Sequence, residues 1–122
     1  MEDDTKLLVV DDDQMMLDFA TRVLASLGYA SVTAPDAATA LRVLEEDRDI
    51  RAVIIDLRLG RPPNGAFLVR QALAMRPDIR GLLTSGDHGA LQSAAGEMQQ
   101  DVELLTKPYR RHELADCLSR LL

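Results

Sequence analysis

The 122-residue chain contains a single cysteine, Cys117, no tryptophan, and aromatic residues at only 3% of its positions. One thiol excludes an internal disulfide, and such sparing use of cysteine is typical of a reducing, cytoplasmic compartment. The shortage of aromatic rings leaves little for stacking on nucleic-acid bases. No apolar run approaches the roughly 18 residues that a membrane-spanning helix needs. We therefore expect a cytoplasmic location and no contact with a membrane.

Positive charge is also scarce, with 14 Lys and Arg residues against 20 Asp and Glu residues and a net charge of −6. Direct binding of nucleic acid depends on a basic surface, so we do not expect a nucleic-acid partner. The opening MEDDTK is acidic, which is unlike a secretory signal. The length fits one domain that can bury a core without disulfides, so we take residues 1–122 as a single domain.

Short apolar runs of strand length recur along the chain. They are LLVV (7–10), AVII (52–55), GLLT (81–84) and VELL (102–105), with a weaker, alternating candidate in YASVTA (29–34). A segment with helical spacing of apolar residues follows each of them. Gly28 is a candidate C-cap for the first of these helices, and Pro77 should stop the third, Gly65–Met75. Strict alternation of strand and helix predicts an α/β fold with a parallel sheet covered on both faces.

Polar residues follow the predicted strands where ligands bind in such a sheet, at the carboxyl ends. They are Asp11, Asp12 and Asp13 after the first strand, Asp56 after the third, Thr84 and Ser85 after the fourth, and Lys107 after the fifth. The sequence therefore predicts that acids, hydroxyls and an amine gather at one edge of the sheet.

The acids of this edge predict a metal site. Crowded carboxylates raise one another's pKa unless a cation joins them, and a hard divalent ion would hold Asp11, Asp12 and Asp56 ionised. Few protein ligands favour Mg²⁺ over Ca²⁺, and the chain has too few His and Cys residues for zinc. Together with Lys107 and a hydroxyl, such a site suits phosphoryl transfer with an aspartate as the nucleophile.

Four segments, LLVVDDD, VIIDLRL, LLTSG and LLTKPYRRHELA, resemble the receiver domain of response regulators in two-component signal transduction. The similarity is greatest to receivers of hybrid histidine kinases and to stand-alone receivers. It implies a flavodoxin-like (βα)5 fold, a doubly wound five-stranded parallel sheet in the order 2-1-3-4-5. It also implies a phosphorylation-dependent signalling switch, with a histidine kinase or a histidine phosphotransfer protein as the phosphoryl donor.

The resemblance assigns roles to the residues of the edge. Asp56 is the phosphoacceptor, and Mg²⁺ is held by Asp11, Asp12, Asp56 and the backbone carbonyl of Arg58. Thr84 and Lys107 bind the phosphoryl group, and the Lys107–Pro108 bond is often cis in the family. A downstream protein target would read the face of the fourth helix, fifth strand and fifth helix, and a phosphorylation-dependent dimer is compatible with this scheme.

The sequence departs from the family pattern in two places. Gly60 stands four residues after Asp56, where the family usually has proline, and the loop is one residue longer, with Pro62 and Pro63 coming later. Leu104 stands where the family often has an aromatic switch residue. A relay between the threonine and an aromatic ring therefore cannot operate in its usual form.

Other readings compete with these assignments. Asp13 is interpreted as a helix cap or a solvated charge, Cys117 as a core residue, and His88 and His112 as surface residues. A Mg²⁺-dependent aspartyl-phosphate hydrolase of the haloacid dehalogenase type is the alternative function. That family needs a second aspartate two residues after the nucleophile, where this chain has Arg58. We therefore expect no enzyme, only a domain that catalyses its own phosphorylation and dephosphorylation.

A flavin-binding module of the flavodoxin type and a receiver reduced to a scaffold are the remaining readings. The flavin module binds phosphate through backbone N–H groups and hydroxyls after the first strand, where the three aspartates of this chain would repel it. A scaffold receiver should have lost an acid or the lysine, and this chain retains all of them.

Overall fold

The computed structural model describes residues 5–98 and 102–122, so the first four residues of the acidic opening lie outside it. Five strands alternate with five helices, as the apolar pattern predicts. The elements are β1 Lys6–Val10, α1 Gln14–Ser26, β2 Ala30–Ala34, α2 Ala37–Glu46, β3 Ile50–Asp56, α3 Gly65–Met75, β4 Arg80–Ser85, α4 His88–Gly96, β5 Val102–Thr106 and α5 Arg111–Leu121.

The strands form one parallel sheet in the order β2-β1-β3-β4-β5, which confirms the predicted topology. The register keeps the carboxyl ends of neighbouring strands level. Val10 pairs with Ile55 of β3, and Asp56 pairs with Thr84 of β4. One step further, Ser85 pairs with Thr106, the residue before Lys107. The polar residues that follow these strands are thereby brought to a single edge.

Helices cover both faces of the sheet. Buried residues of α1 and α5 pack with Leu7, Val9 and Leu82 on one face, and those of α2, α3 and α4 pack with Leu8 and Ile55 on the other. This arrangement explains why the central strands lack polar alternation. Burial of each leucine or isoleucine contributes roughly 1.5–3 kcal/mol, so these two layers dominate the stability of the fold.

The helix termini can be compared with the caps and stops that the sequence predicts. Asp13 caps α1 by accepting a hydrogen bond from the Met15 N–H, which confirms its interpretation as a cap. Leu27 is the C-cap of α1, and Gly28 follows it with a φ of 92°, so Gly28 stands one residue beyond its predicted place. Helix α3 ends at Met75, before Pro77, as predicted.

The remaining predictions concern single side chains. Cys117 is buried in the layer formed by α1 and α5, and His88 and His112 are exposed, as expected. Helix α4 ends at Gly96, so Met98 packs against the core from beyond the helix. Among the described residues, every helix is too short or too polar to traverse a bilayer.

Candidate functional site

Lys107 lies between two aspartates that come from different strands. Its Nζ is 2.9 Å from Asp11 Oδ2 and 3.1 Å from Asp56 Oδ2. Asp11 follows β1 and is 5% exposed, whereas Asp56 ends β3 and is 9% exposed. The Lys107 N–H donates to the Ser85 carbonyl at 2.8 Å, and the Lys107–Pro108 bond is cis, as the resemblance implies. The structure thus brings together the acids and the amine that the sequence predicts at this edge.

Three carboxylates of this edge form a group that suits a small cation. One oxygen each from Asp11, Asp12 and Asp56 can be chosen so that all lie within 4.8 Å of one another. Hard carboxylate oxygens are the donors that Mg²⁺ prefers, and the exposed Asp12 leaves a side open for water ligands. Receiver domains generally bind Mg²⁺ at such an acidic cluster, and the donor set of this chain fits that ion.

Burial and charge shape the ionisation of the site. Burial raises the pKa of Asp56, the charge of Lys107 lowers it in part, and the neighbouring Asp11 raises it again. Burial alone would lower the pKa of Lys107, but its hydrogen bond to Asp11 and the charges of both aspartates raise it overall. The lysine is therefore protonated at neutral pH and offsets the crowding of the two buried carboxylates.

Thr84 sits beside Asp56 on the neighbouring strand. It is 3% exposed, and its carbonyl accepts a hydrogen bond from the Leu57 N–H at 2.8 Å. Within residues 5–98 and 102–122, its hydroxyl makes no hydrogen bond to the protein. Ser85 is also buried, and its Oγ accepts from the Asp87 N–H at 3.0 Å, which turns the chain into α4.

The loop after β3 contacts the acids of the site. The Arg58 N–H points to Asp56 Oδ1 at 3.4 Å, and the Arg58 guanidinium reaches Asp87 Oδ2, also at 3.4 Å. Gly65 ends the loop and lies very close to the Asp56 backbone. A Cβ at this position would collide with the Asp56 carbonyl oxygen, so only glycine fits. The loop also contains a second cis bond, Pro62–Pro63.

Some neighbours of the site were not predicted from the sequence. Tyr109 packs against Phe19 with ring centroids 5.5 Å apart, and burial, with the charge of Asp11, raises the pKa of Tyr109 to about 12. The Arg58–Asp87 ion pair was also not predicted. Asp87 is the N-cap of α4, and its place before that helix is the one signal that the sequence offers. The exposed Arg111 donates to Ser26 Oγ and to the Ser26 carbonyl, which joins α5 to the end of α1.

Comparison with known proteins identifies the family. The model of the response regulator receiver domain matches residues 7–119. The chain is 35% identical over 109 residues to the Escherichia coli transcriptional regulatory protein GlrR, covering 88% of this chain and 24% of GlrR. The response regulator receiver protein CpdR of Brucella abortus is 22% identical over 117 residues, 96% of each chain. The chain spans about a quarter of the first curated relatives that it matches.

Solved structures agree with the observed topology. The receiver domain of NtrX from Brucella abortus superposes with a TM-score of 0.82 at 28% identity, covering 95% of this chain and 97% of that one. The Vibrio cholerae chemotaxis protein CheY4 has the same fold, with a TM-score of 0.85 at 21% identity over 97% and 98% of the two chains. Because the family model covers nearly all of the sequence, the chain belongs to the response regulator receiver domains of two-component signal transduction.

Proposed function

We propose that this receiver domain is a phosphorylation-dependent switch in which Asp56 is the phosphoacceptor. Response regulators receive phosphoryl groups from histidine kinases and act on downstream targets. The observation that carries the proposal is the position of Lys107, whose ammonium contacts both Asp11 and Asp56 at an edge that Asp12 and Thr84 share. Phosphoryl transfer needs placement and charge neutralisation more than covalent help, and this edge supplies both.

The donor in this proposal is a phosphohistidine of a histidine kinase or of a histidine phosphotransfer protein. A carboxylate oxygen of Asp56 attacks the phosphorus, the P–N bond to the imidazole breaks, and the imidazole takes up a proton. The product on this chain is an acyl phosphate. Attack of water on the phosphorus later releases inorganic phosphate and restores the carboxylate. Asp56 needs no general base, because the attacking form of a carboxyl group is the carboxylate, which carries no proton to be removed during attack.

The neighbours of Asp56 have separate roles in this scheme. Asp11, Asp12, Asp56 and the Arg58 carbonyl would hold Mg²⁺, which neutralises charge on the phosphoryl oxygens when bound. The Lys107 ammonium, aligned by Asp11, donates to one phosphoryl oxygen. The Thr84 hydroxyl, which has no partner among the described residues, donates to another.

The signal would leave through the face formed by α4, β5 and α5. Helix α4 is weakly held, since Leu91 is its single buried residue among the described ones, and such elements change state at low cost. The His88 ring Nδ1 lies 3.2 Å from Thr106 Oγ1, which connects the start of α4 to the residue before Lys107. Leu104 packs against the core beneath α4, so the shift would proceed without an aromatic rotamer. A downstream protein, or a second copy of the phosphorylated domain, would read this face.

Treatment with acetyl phosphate and Mg²⁺, followed by intact mass measurement, tests the acceptor. We expect one phosphoryl group on the wild-type chain, none on Asp56→Asn, and normal labelling of Asp49→Asn, which removes an exposed acid outside the site. An unlabelled wild-type chain, or equal labelling of Asp56→Asn, would contradict the assignment.

Amide hydrogen exchange tests the route of the signal. We expect the phosphoryl mimic beryllofluoride to change exchange in α4 and β5 more than in α2, which packs on the same face of the sheet as α4. Unchanged exchange in α4 and β5 would show that the signal leaves through another part of the domain.

A further inference from the structure

The loop after Asp56 alternates between buried and exposed residues. Leu57 and Leu59 are buried in the core layer of α2, α3 and α4, whereas Arg58 and Gly60 face outward. Because both leucines are anchored, the path of the intervening backbone is fixed. Gly60 continues this path with a φ of +77°, a conformation that L-residues with a Cβ rarely adopt.

This path brings the Gly60 backbone against the Asp12 carboxylate. A Cβ built on Gly60 would lie 2.5 Å from Asp12 Oδ2 and 3.6 Å from Asp12 Cγ. The first distance is far below a van der Waals contact, so the carboxylate occupies the space that any other side chain at residue 60 would need. Gly28 has a similar φ of +92°, but nothing lies within 4 Å of the corresponding Cβ position.

Asp12 differs from the two other acids of the cluster in how it is held. Lys107 and the Asp13 N–H fix Asp11, and Lys107 with the Arg58 N–H fixes Asp56. Within the described ranges, no hydrogen bond or ion pair holds the side chain of Asp12. Packing against the backbone of Gly60 is therefore the restraint that the structure shows on this exposed carboxylate.

We propose that Gly60 is a positioning residue, whose missing side chain lets the Asp12 carboxylate stay beside Asp11 and Asp56 for cation binding. This inference rests on the proposed function, because it assigns Asp12 to the Mg²⁺ site. A Cβ at residue 60 must displace either the loop or Asp12. The loop is anchored by Leu59, whereas no hydrogen bond or ion pair within residues 5–98 and 102–122 holds Asp12, so the carboxylate moves away from the other two acids.

Magnesium titration of the unphosphorylated domain by calorimetry tests this role. We expect Gly60→Ala to weaken Mg²⁺ binding by about tenfold or more, the usual effect of losing a group that orients a metal ligand. Gly28→Ala is the matched control, because it imposes comparable strain in open space, and its affinity should stay within about twofold of wild type. Gly60→Asn and Gly28→Asn repeat the pair with a residue that tolerates positive φ, so that the fold survives while the Cβ remains.

Amide NMR spectra without metal provide a readout that does not depend on binding. We expect Gly60→Asn to shift the Asp12 and Asp13 resonances and Gly28→Asn to leave them in place. If the wild-type domain binds Mg²⁺ and both Gly60 variants bind it with equal affinity, the role of Gly60 is overturned while the proposed metal site stands. Absence of binding by the wild-type domain would overturn the proposed metal site and, with it, this role.

Discussion

Lys107 is the residue on which the electrostatics of the site depend most. Its removal leaves Asp11 and Asp56 side by side, largely buried and without their shared cation. We expect Lys107→Met to lower the free energy of unfolding at pH 7 by about 3 kcal/mol, because unpaired buried charges are costly. Urea unfolding followed by circular dichroism measures this loss.

Lys6→Met is the matched control for that change. Lys6 pairs with Asp47 at 2.9 Å, but both side chains are about a quarter exposed, so solvent replaces the lost partner. Its loss should be below about 1 kcal/mol. Equal losses for the two lysines would show that the Asp11–Lys107–Asp56 contacts are no stronger than a surface pair.

Asp56 should lower the free energy of unfolding as pH rises, which is opposite to the usual effect of an aspartate. Burial raises the pKa of Asp56 in the folded state above the ordinary value of 3.8, so the folded chain binds this proton more tightly than the unfolded chain does. The resulting stabilisation is complete below pH 3.8 and is lost as pH rises through the higher folded pKa. We therefore expect Asp56→Asn to stabilise the metal-free domain at pH 7, by about 1 kcal/mol.

Thermal unfolding at pH 7 and at pH 4 checks this expectation. The gain from Asp56→Asn should shrink at the lower pH, where more of the wild-type carboxyl is protonated. Asp12→Asn serves as the comparison, because Asp12 is exposed and its charge is already solvated. A variant less stable than wild type at pH 7 would mean that the Lys107 contact outweighs the burial of Asp56.

Among the elements, the junction of α2, α3 and β3 depends on one arginine. The guanidinium of Arg76, the C-cap residue of α3, donates to the carbonyls of Leu44 at 3.1 Å and Ile50 at 2.9 Å. These carbonyls belong to the end of α2 and the start of β3. With its side chain 11% exposed, Arg76 satisfies backbone groups that the helix end leaves without partners.

Arg76→Lys should therefore be far from conservative. The guanidinium also donates to the carbonyls of Asp47 and Arg48, and a single ammonium cannot reach all four carbonyls. We therefore expect the free energy of unfolding to fall by about 2 kcal/mol, the contribution of at least two lost hydrogen bonds. Urea titration measures the change, and Arg42→Lys on the exposed face of α2 is the control. A loss no larger than that of the control would mean that water donates hydrogen bonds to these carbonyls as effectively as Arg76 does.

Elements and strand ends were predictable from the sequence, whereas contacts between loops were not. Short apolar runs located four strands, as expected of strands covered on both faces, and a weaker alternating pattern located the edge strand β2. Asp11, Asp56 and Lys107 then followed from topology. The approach of Gly60 to Asp12 and the reach of Arg76 to Leu44 depend on loop paths and side-chain directions. Local patterns do not encode these directions, so only the structure reveals them.

At the scale of the whole molecule, the fold itself creates the candidate metal site. Asp11 and Asp12 follow β1, whereas Asp56 ends β3, and the intervening residues form α1, β2 and α2. In the unfolded chain Asp56 is far from the adjacent Asp11 and Asp12. Since the folded state alone gathers them, a cation that binds there must stabilise the fold as a whole by mass action.

Mg²⁺ should therefore raise the midpoint of thermal unfolding, with a stabilisation of about 2.7 kcal/mol when its concentration is a hundred times the dissociation constant. The effect should weaken as pH falls, because burial raises the pKa of Asp56 and protons then compete with the cation for that carboxylate. Asp12→Asn should abolish most of the shift. Asp78→Asn removes the same charge where β4 begins, at the opposite edge of the sheet, and should preserve the shift. Equal shifts in both variants, at constant ionic strength, would indicate general screening of the acidic chain rather than a bound ion.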